Sequence, residues 1–176
     1  IIFVCGGQLE YIDEYKHESD AYPQKFQSLR KFFCDNIFYV RHSRKDLISQ
    51  NIHLAEDFYN YIQVGKYSNL LDFENDIAQI SSQVLIFLES EGAFVELGMF
   101  VNNEYLKNKL IVVVPAEHRQ RESFINYGPL EYLKSINEDS ILTFDWCNTE
   151  KNYTQDIVQS ITEDLIEMLP KNKTMS

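Results

Sequence analysis

Glu96 is a carboxylate without the usual reasons for being one. On a helix its neighbours at i−4, i−3, i+3 and i+4 are Gly92, Ala93, Met99 and Phe100, all apolar. A carboxylate in apolar company must be paired, neutralised or turned into a cleft, and this favours a site over an exposed helix former. Just upstream, Glu89-Ser90-Glu91-Gly92 makes an acidic turn directly after the apolar run Val84 to Leu88. That order sets Glu89, Ser90 and Gly92 at the C-terminal edge of a buried strand, where open α/β sheets take up ligands.

Other residues converge on the same edge. Cys5, Gly6 and Gly7 follow the first strand, and in a sheet whose strand order reverses there they face the crevice that holds Glu89 to Gly92. The two glycines either let backbone amides approach a ligand or serve a tight turn. Asp72, Glu74 and Asp76 open a helix, where carboxylates either complement its dipole or face the site. Glu56 and Asp57 lie beyond the second strand and are equally open. Asn126, after the fourth strand, can read a base or ribose through its donor and acceptor groups, or cap the turn before Pro129. Neither the dinucleotide pattern GxGxxG nor the phosphate loop GxxxxGK[ST] occurs, which argues against hydride transfer and P-loop chemistry. His17, His42, His53 and His118 are scattered, and Cys5, Cys34 and Cys147 form no close pair. The expectation is therefore no metal, no cofactor and no disulfide framework, in a reducing cytoplasm.

The elements that must position these groups are read from apolar runs. Ile1 to Cys5, Ile37 to Val40, Val84 to Leu88, Leu110 to Val114 and Ile141 to Phe144 are expected as strands. Helices are expected over Lys25 to Phe33, Ile52 to Tyr61, Leu70 to Ile80, Ala93 to Leu106, Leu130 to Ser135 and Gln155 to Leu169. This alternation predicts an α/β fold, three-layered and Rossmann-like (flavodoxin-like), with five mainly parallel strands in the order 2-1-3-4-5 and right-handed crossovers. The stretch Gly6 to Pro23 is either a lid over the sheet edge or an ordinary loop.

The 176 residues suit a single domain over 1–176, and no linker or repeat divides them. The chain opens in a strand without an initiator Met, so a preceding segment is expected. With 44% hydrophobic residues and no apolar run near the roughly 20 residues a membrane span needs, a soluble protein is expected. A net charge of −11 argues against a general nucleic-acid surface. Two short basic clusters, Arg41 with Arg44 and Lys45, and Arg119 with Arg121, remain as solvated loops or a local patch.

Four blocks carry a resemblance: Phe3-Val4-Cys5-Gly6-Gly7, Leu70-Leu71-Asp72-Phe73-Glu74-Asn75, the span Phe87 to Gly98, and Ser123-Phe124-Ile125-Asn126-Tyr127-Gly128-Pro129. Together they resemble the effector proteins of bacterial retrons, which are similar to nucleoside 2-deoxyribosyltransferases. The blocks span most of Ile1 to about Ile136. The resemblance implies an N-glycosidase of nucleotides or NAD, with Glu96 of the Glu-Leu-Gly segment as nucleophile or stabiliser at the anomeric carbon. A carboxylate suits this because cleavage builds positive charge on the sugar. Glu89 falls at a place comparable to the base-binding aspartate of the transferases, by position and not by an aligned residue, and is expected as a catalytic residue beside Glu96. The effectors usually read Glu-Ser-Pro-Gly-Ser where this chain has Glu89-Ser90-Glu91-Gly92-Ala93, so substrate contacts at this turn differ.

The resemblance further implies a toxin used in anti-phage defence, held inactive by a reverse transcriptase and its multicopy DNA (msDNA), acting as a homo-oligomer or within a retron complex. The larger relatives carry a C-terminal DNA-binding winged-helix region beyond these blocks. Against the enzyme stands a binding module that senses a nucleotide and docks on the reverse transcriptase and msDNA, with Glu96 pinned in a salt bridge. A structural subunit rests only on the aromatic content, which a core explains as well.

Overall fold

The computed structural model describes residues 1–7, 28–37, 43–58, 65, 67–120, 122–144 and 155–169. Three short apolar segments form the centre of a sheet: β1 (Ile2–Cys5), β3 (Gln83–Phe87) and β4 (Leu110–Pro115), each buried along its whole length. Strands covered on both faces carry apolar residues without alternation, as these do. The half-buried β2 (Ile52–Leu54) and β5 (Ile141–Phe144) form the edges. The order is β2-β1-β3-β4-β5, and every neighbouring pair runs parallel. This is the expected Rossmann-like α/β sheet, with its reversal between β1 and β3.

The identity of the second strand differs from expectation. Ile37 ends helix α1 (Leu29–Asn36), donating its N–H to the Phe33 carbonyl at 3.0 Å and burying its side chain, while residues 38–40 lie outside the described residues. The edge is filled instead by Ile52–Leu54, in register with Ile2 to Val4 and preceded by the Ile2 N–H to Asn51 carbonyl bond of 2.7 Å. The expected helix from Ile52 is therefore a strand followed by one 3-10 turn, Ala55–Phe58. Backbone pairing with a fully buried β1 overrides a helical reading of so short a stretch.

Polar caps fix the helix starts. Ser28 accepts from the Lys31 N–H ahead of α1, Asn69 from Asp72 ahead of α3 (Leu70–Ile80), and Ser90 from Ala93 ahead of α4 (Glu91–Val101). Hence α1 runs to Asn36, past the expected Phe33, and the part of that helix at residues 25–27 lies outside the described residues. α4 begins two residues before Ala93 and stops at Val101, short of Leu106. The remaining α-helices among the described residues are α2 (Lys45–Ser49), α5 (Ala116–Arg119), α6 (Glu131–Ile136) and α7 (Gln155–Met168). A π-helical turn, Asn126–Leu130, leads into α6.

Alternate strand residues serve two cores. Ile2, Val4, Leu85, Phe87, Ile111 and Val113 meet α1, α2 and α7 on one face. Phe3, Cys5, Val84, Ile86, Val112 and Val114 meet α3, α4 and α6 on the other. Glu74 and Glu96 ride on helices of this second face, whereas Arg30 belongs to the first. Their layers meet at the C-terminal end of β1. Of the stretch Gly6 to Pro23, residues 8–23 lie outside the described residues. Among the described residues no helix is long and apolar enough to cross a membrane.

Candidate active site

The crevice is organised by two residues at the end of β3. Glu89 accepts three hydrogen bonds from the start of α1: Ser28 Oγ at 2.7 Å and Arg30 N at 3.0 Å on Oε1, and Leu29 N at 2.8 Å on Oε2. A carboxylate at a helix N-terminus satisfies orphan donors and complements the dipole. Ser90 caps α4 and donates to the Gly6 carbonyl at 3.4 Å. The glycine pair is filled from within. Gly6 has φ +147°, and a Cβ there would lie 2.7 Å from Phe87 Cβ and 3.1 Å from Arg30 Cδ. A Cβ on Gly7 would lie 2.9 Å from Glu89 Cγ. Both positions thus let the protein's own side chains close on the end of β1.

Arg30 is the principal group that the sequence reading missed. It is 2% exposed. Its Nη1 donates to Glu56 Oε1 at 2.8 Å and to the Gly7 carbonyl at 3.1 Å, and Nη2 donates to the Val4 carbonyl at 3.1 Å and to Glu56 Oε2. Burial alone would lower the guanidinium pKa, but the bond and charge of Glu56 outweigh it and the pKa is raised. The position gave little signal: Arg30 stands beside Lys31 in an amphipathic helix, and its partner Glu56 is 26 residues away.

Around this cation sit three carboxylates and a thiol. The pKa of Glu96 is pushed up to about 7, first by burial and then by the charge of Glu74, with Glu56 adding and Arg30 opposing. Its Oε2 is buried without a hydrogen-bond partner among the described residues. Glu74, 5% exposed on α3, is likewise raised by burial and by Glu56, with Arg30 opposing. Cys5 is raised well above its ordinary value by burial, then by Glu96 and Glu74, so its thiol is neutral. A carboxyl poised near neutrality, with a spare oxygen and its proton affinity set by desolvation, suits acid, base or nucleophilic work. Among the described residues no three His, Cys, Asp or Glu side chains are placed to hold a metal ion.

The structure thus brings Cys5, Gly6, Gly7, Glu56, Glu74, Glu89, Ser90 and Glu96 to one strand edge. Gly92 is exposed in the first turn of α4, with only Ser90 Oγ within 4 Å of a Cβ added there. Asn126 is used internally: Nδ2 donates to the His118 carbonyl at 2.6 Å and Ser123 Oγ at 3.2 Å, and Oδ1 accepts from Arg119 at 3.2 Å. It lines a separate cleft with Arg119, Gln120, Glu122, Tyr127 and Glu131. Of the basic clusters, Arg44 braces the end of α7 through the Ile166 and Leu169 carbonyls at 2.9 and 2.6 Å, while Arg41 and Arg121 lie outside the described residues.

Comparison with known proteins places the chain among retron proteins. The family model described as STM3845 retron effector protein matches residues 26–176. The chain is similar to a retron Ec86 protein of Escherichia coli, named as a proposed ribosyltransferase/DNA-binding protein, at 33% identity over 141 residues, 80% of this chain and 39% of that one. It is also similar to the retron Ec73 protein of the same name and organism, at 30% over 139 residues, 76% and 44% of the two chains. The chain therefore spans less than half the length of these curated relatives.

Proposed function

Because the chain belongs to the retron effector protein family, we propose that it cleaves the N-glycosidic bond of a nucleotide or of NAD, in the manner of a nucleoside deoxyribosyltransferase, with Glu96 as nucleophile. The observation that carries this reading is the half-buried Glu96, whose buried Oε2 has no hydrogen-bond partner among the described residues, at the point where the strand order reverses. The naming of the two relatives as proposed ribosyltransferases supports the reaction class.

In the proposed reaction Glu96, ionised, bonds to the anomeric carbon as the carbon–nitrogen bond breaks and its electron pair leaves with the base. A neutral base takes up its proton from water as it leaves, and the nicotinamide of NAD, already cationic, needs none; Glu74, lifted by burial, contributes the charge that raises Glu96. Water, or the nitrogen of a second base, then attacks the anomeric carbon and frees Glu96. Glu89 serves through α1, whose N-terminus it anchors, and thereby sets Arg30 against the end of β1. In the cell the chain would act as a toxin of anti-phage defence in the cytoplasm, as a homo-oligomer or in a complex with reverse transcriptase and msDNA.

The test is incubation of the purified protein with NAD, nucleotides and deoxynucleosides, with chromatography for free base. Release from at least one is expected. Binding without release from any of them would overturn the enzyme reading in favour of nucleotide sensing.

A further inference from the structure

Arg30 is among the largest side chains that the fold buries completely, and it acts on Glu96 without being bonded to it. Both fork nitrogens are taken by Glu56, and the remaining bonds go to the Val4, Gly6 and Gly7 carbonyls. Arg30 Nε and Glu96 Oε2 are both buried without a hydrogen-bond partner among the described residues. A buried guanidinium donor and a buried carboxylate acceptor in one crevice gain by pairing. Here they stay apart. We propose that Glu56 is a positioning residue: by occupying the fork of Arg30 it holds the cation against the end of β1 and keeps it from pairing with Glu96. This rests on the reading of Glu96 as nucleophile, because a carboxylate paired with a guanidinium stays charged but has its lone pairs engaged in hydrogen bonds and attacks carbon more weakly.

Glu56 is placed for this task. It comes from the turn after β2 and is 36% exposed on its side chain, so it reaches Arg30 from the solvent side. The other groups that act on Glu96 among the described residues are Glu74 of α3 and the fork cation itself, with the neutral Cys5 thiol of β1 beside them.

The test is the pH profile of base release in Glu56→Gln, which keeps the shape but releases the fork. Wild type should gain activity through about pH 7 as Glu96 ionises. In Glu56→Gln, loss of the Glu56 charge and pairing with Arg30 should together bring that limb to about pH 6, raising the ionised fraction at pH 6 about fivefold. The rate on the alkaline plateau should fall on the order of tenfold, since the nucleophile must first leave its ion pair. Glu56→Asp, which restores a carboxylate to the fork, should return the limb toward its wild-type position. The double variant Arg30→Met with Glu56→Leu removes both charges and should move the limb above that of wild type, and it serves if Glu56→Gln does not fold. The same titration is readable without activity from the ¹³C shift of the Glu96 carboxyl, assigned by its loss in Glu96→Gln. A limb unmoved or an alkaline plateau undiminished in folded Glu56→Gln, or a limb unmoved in the double variant, would overturn the proposal. Undiminished base release by Glu96→Gln would instead remove the nucleophile reading, and the carboxyl titration would still decide whether Glu56 keeps Arg30 from Glu96.

Discussion

Replacing Glu96 by glutamine should stabilise the protein, and only above a certain pH. The folded-state pKa of Glu96 lies at about 7 against an ordinary value of 4.5, with burial as the first cause. A carboxyl that binds its proton more tightly when folded makes stability decline as pH rises from the unfolded value through the folded one, and leaves it flat beyond. At about 1.36 kcal/mol for each unit of pKa difference, the ionised carboxylate costs the native state about 3 kcal/mol at pH 8. Against a typical total of about 5–15 kcal/mol that is a large share. Glutamine has the shape of the protonated acid and never ionises. Urea denaturation at pH 4 should therefore give nearly equal free energies for the two proteins, and at pH 8 an advantage of about 3 kcal/mol for Glu96→Gln. Equal stabilities at pH 8, or a less stable variant, would refute the claim that Glu96 is held ionised in a desolvated site.

Other consequences are separable. Glu74→Gln removes the charge that ranks after burial in raising Glu96, so the acid limb of activity should move below about pH 7 whatever happens to the plateau. Steady-state rates between pH 5 and 9 would show it. Glu89→Ala strips three hydrogen bonds from the N-terminus of α1 and should cost about 1–3 kcal/mol in a denaturant titration. Gly6→Ala forces a side chain into φ +147° and toward Phe87 Cβ at 2.7 Å, and should cost at least about 1 kcal/mol. Gly98→Ala meets nothing within 4 Å on α4 and should gain up to about 1 kcal/mol in the same series.

The central sheet was legible because β1, β3 and β4 are buried on both faces and therefore read as uninterrupted apolar runs. β2 was not, because three half-buried residues are too few for a periodic signal, and their conformation comes from pairing with β1. The run at Ile37 misled for the complementary reason: an apolar residue closing a helix packs the same core that a strand would. Glu96 stood out by its apolar helical neighbours, a local property. The tasks of Glu89 and Arg30 are not local. A carboxylate at a strand end looks the same whether it faces substrate or receives three donors from a helix some 60 residues away in sequence. An arginine beside a lysine looks solvated until the strand end and Glu56 close over it.

The measurement that bears most directly on the account is the base-release rate of Glu96→Gln against wild type, on whichever nucleotide of the panel the wild type cleaves, at a pH above 7. The account predicts a loss of at least about a thousandfold in a variant that remains folded. Base released at the wild-type rate by Glu96→Gln would contradict it.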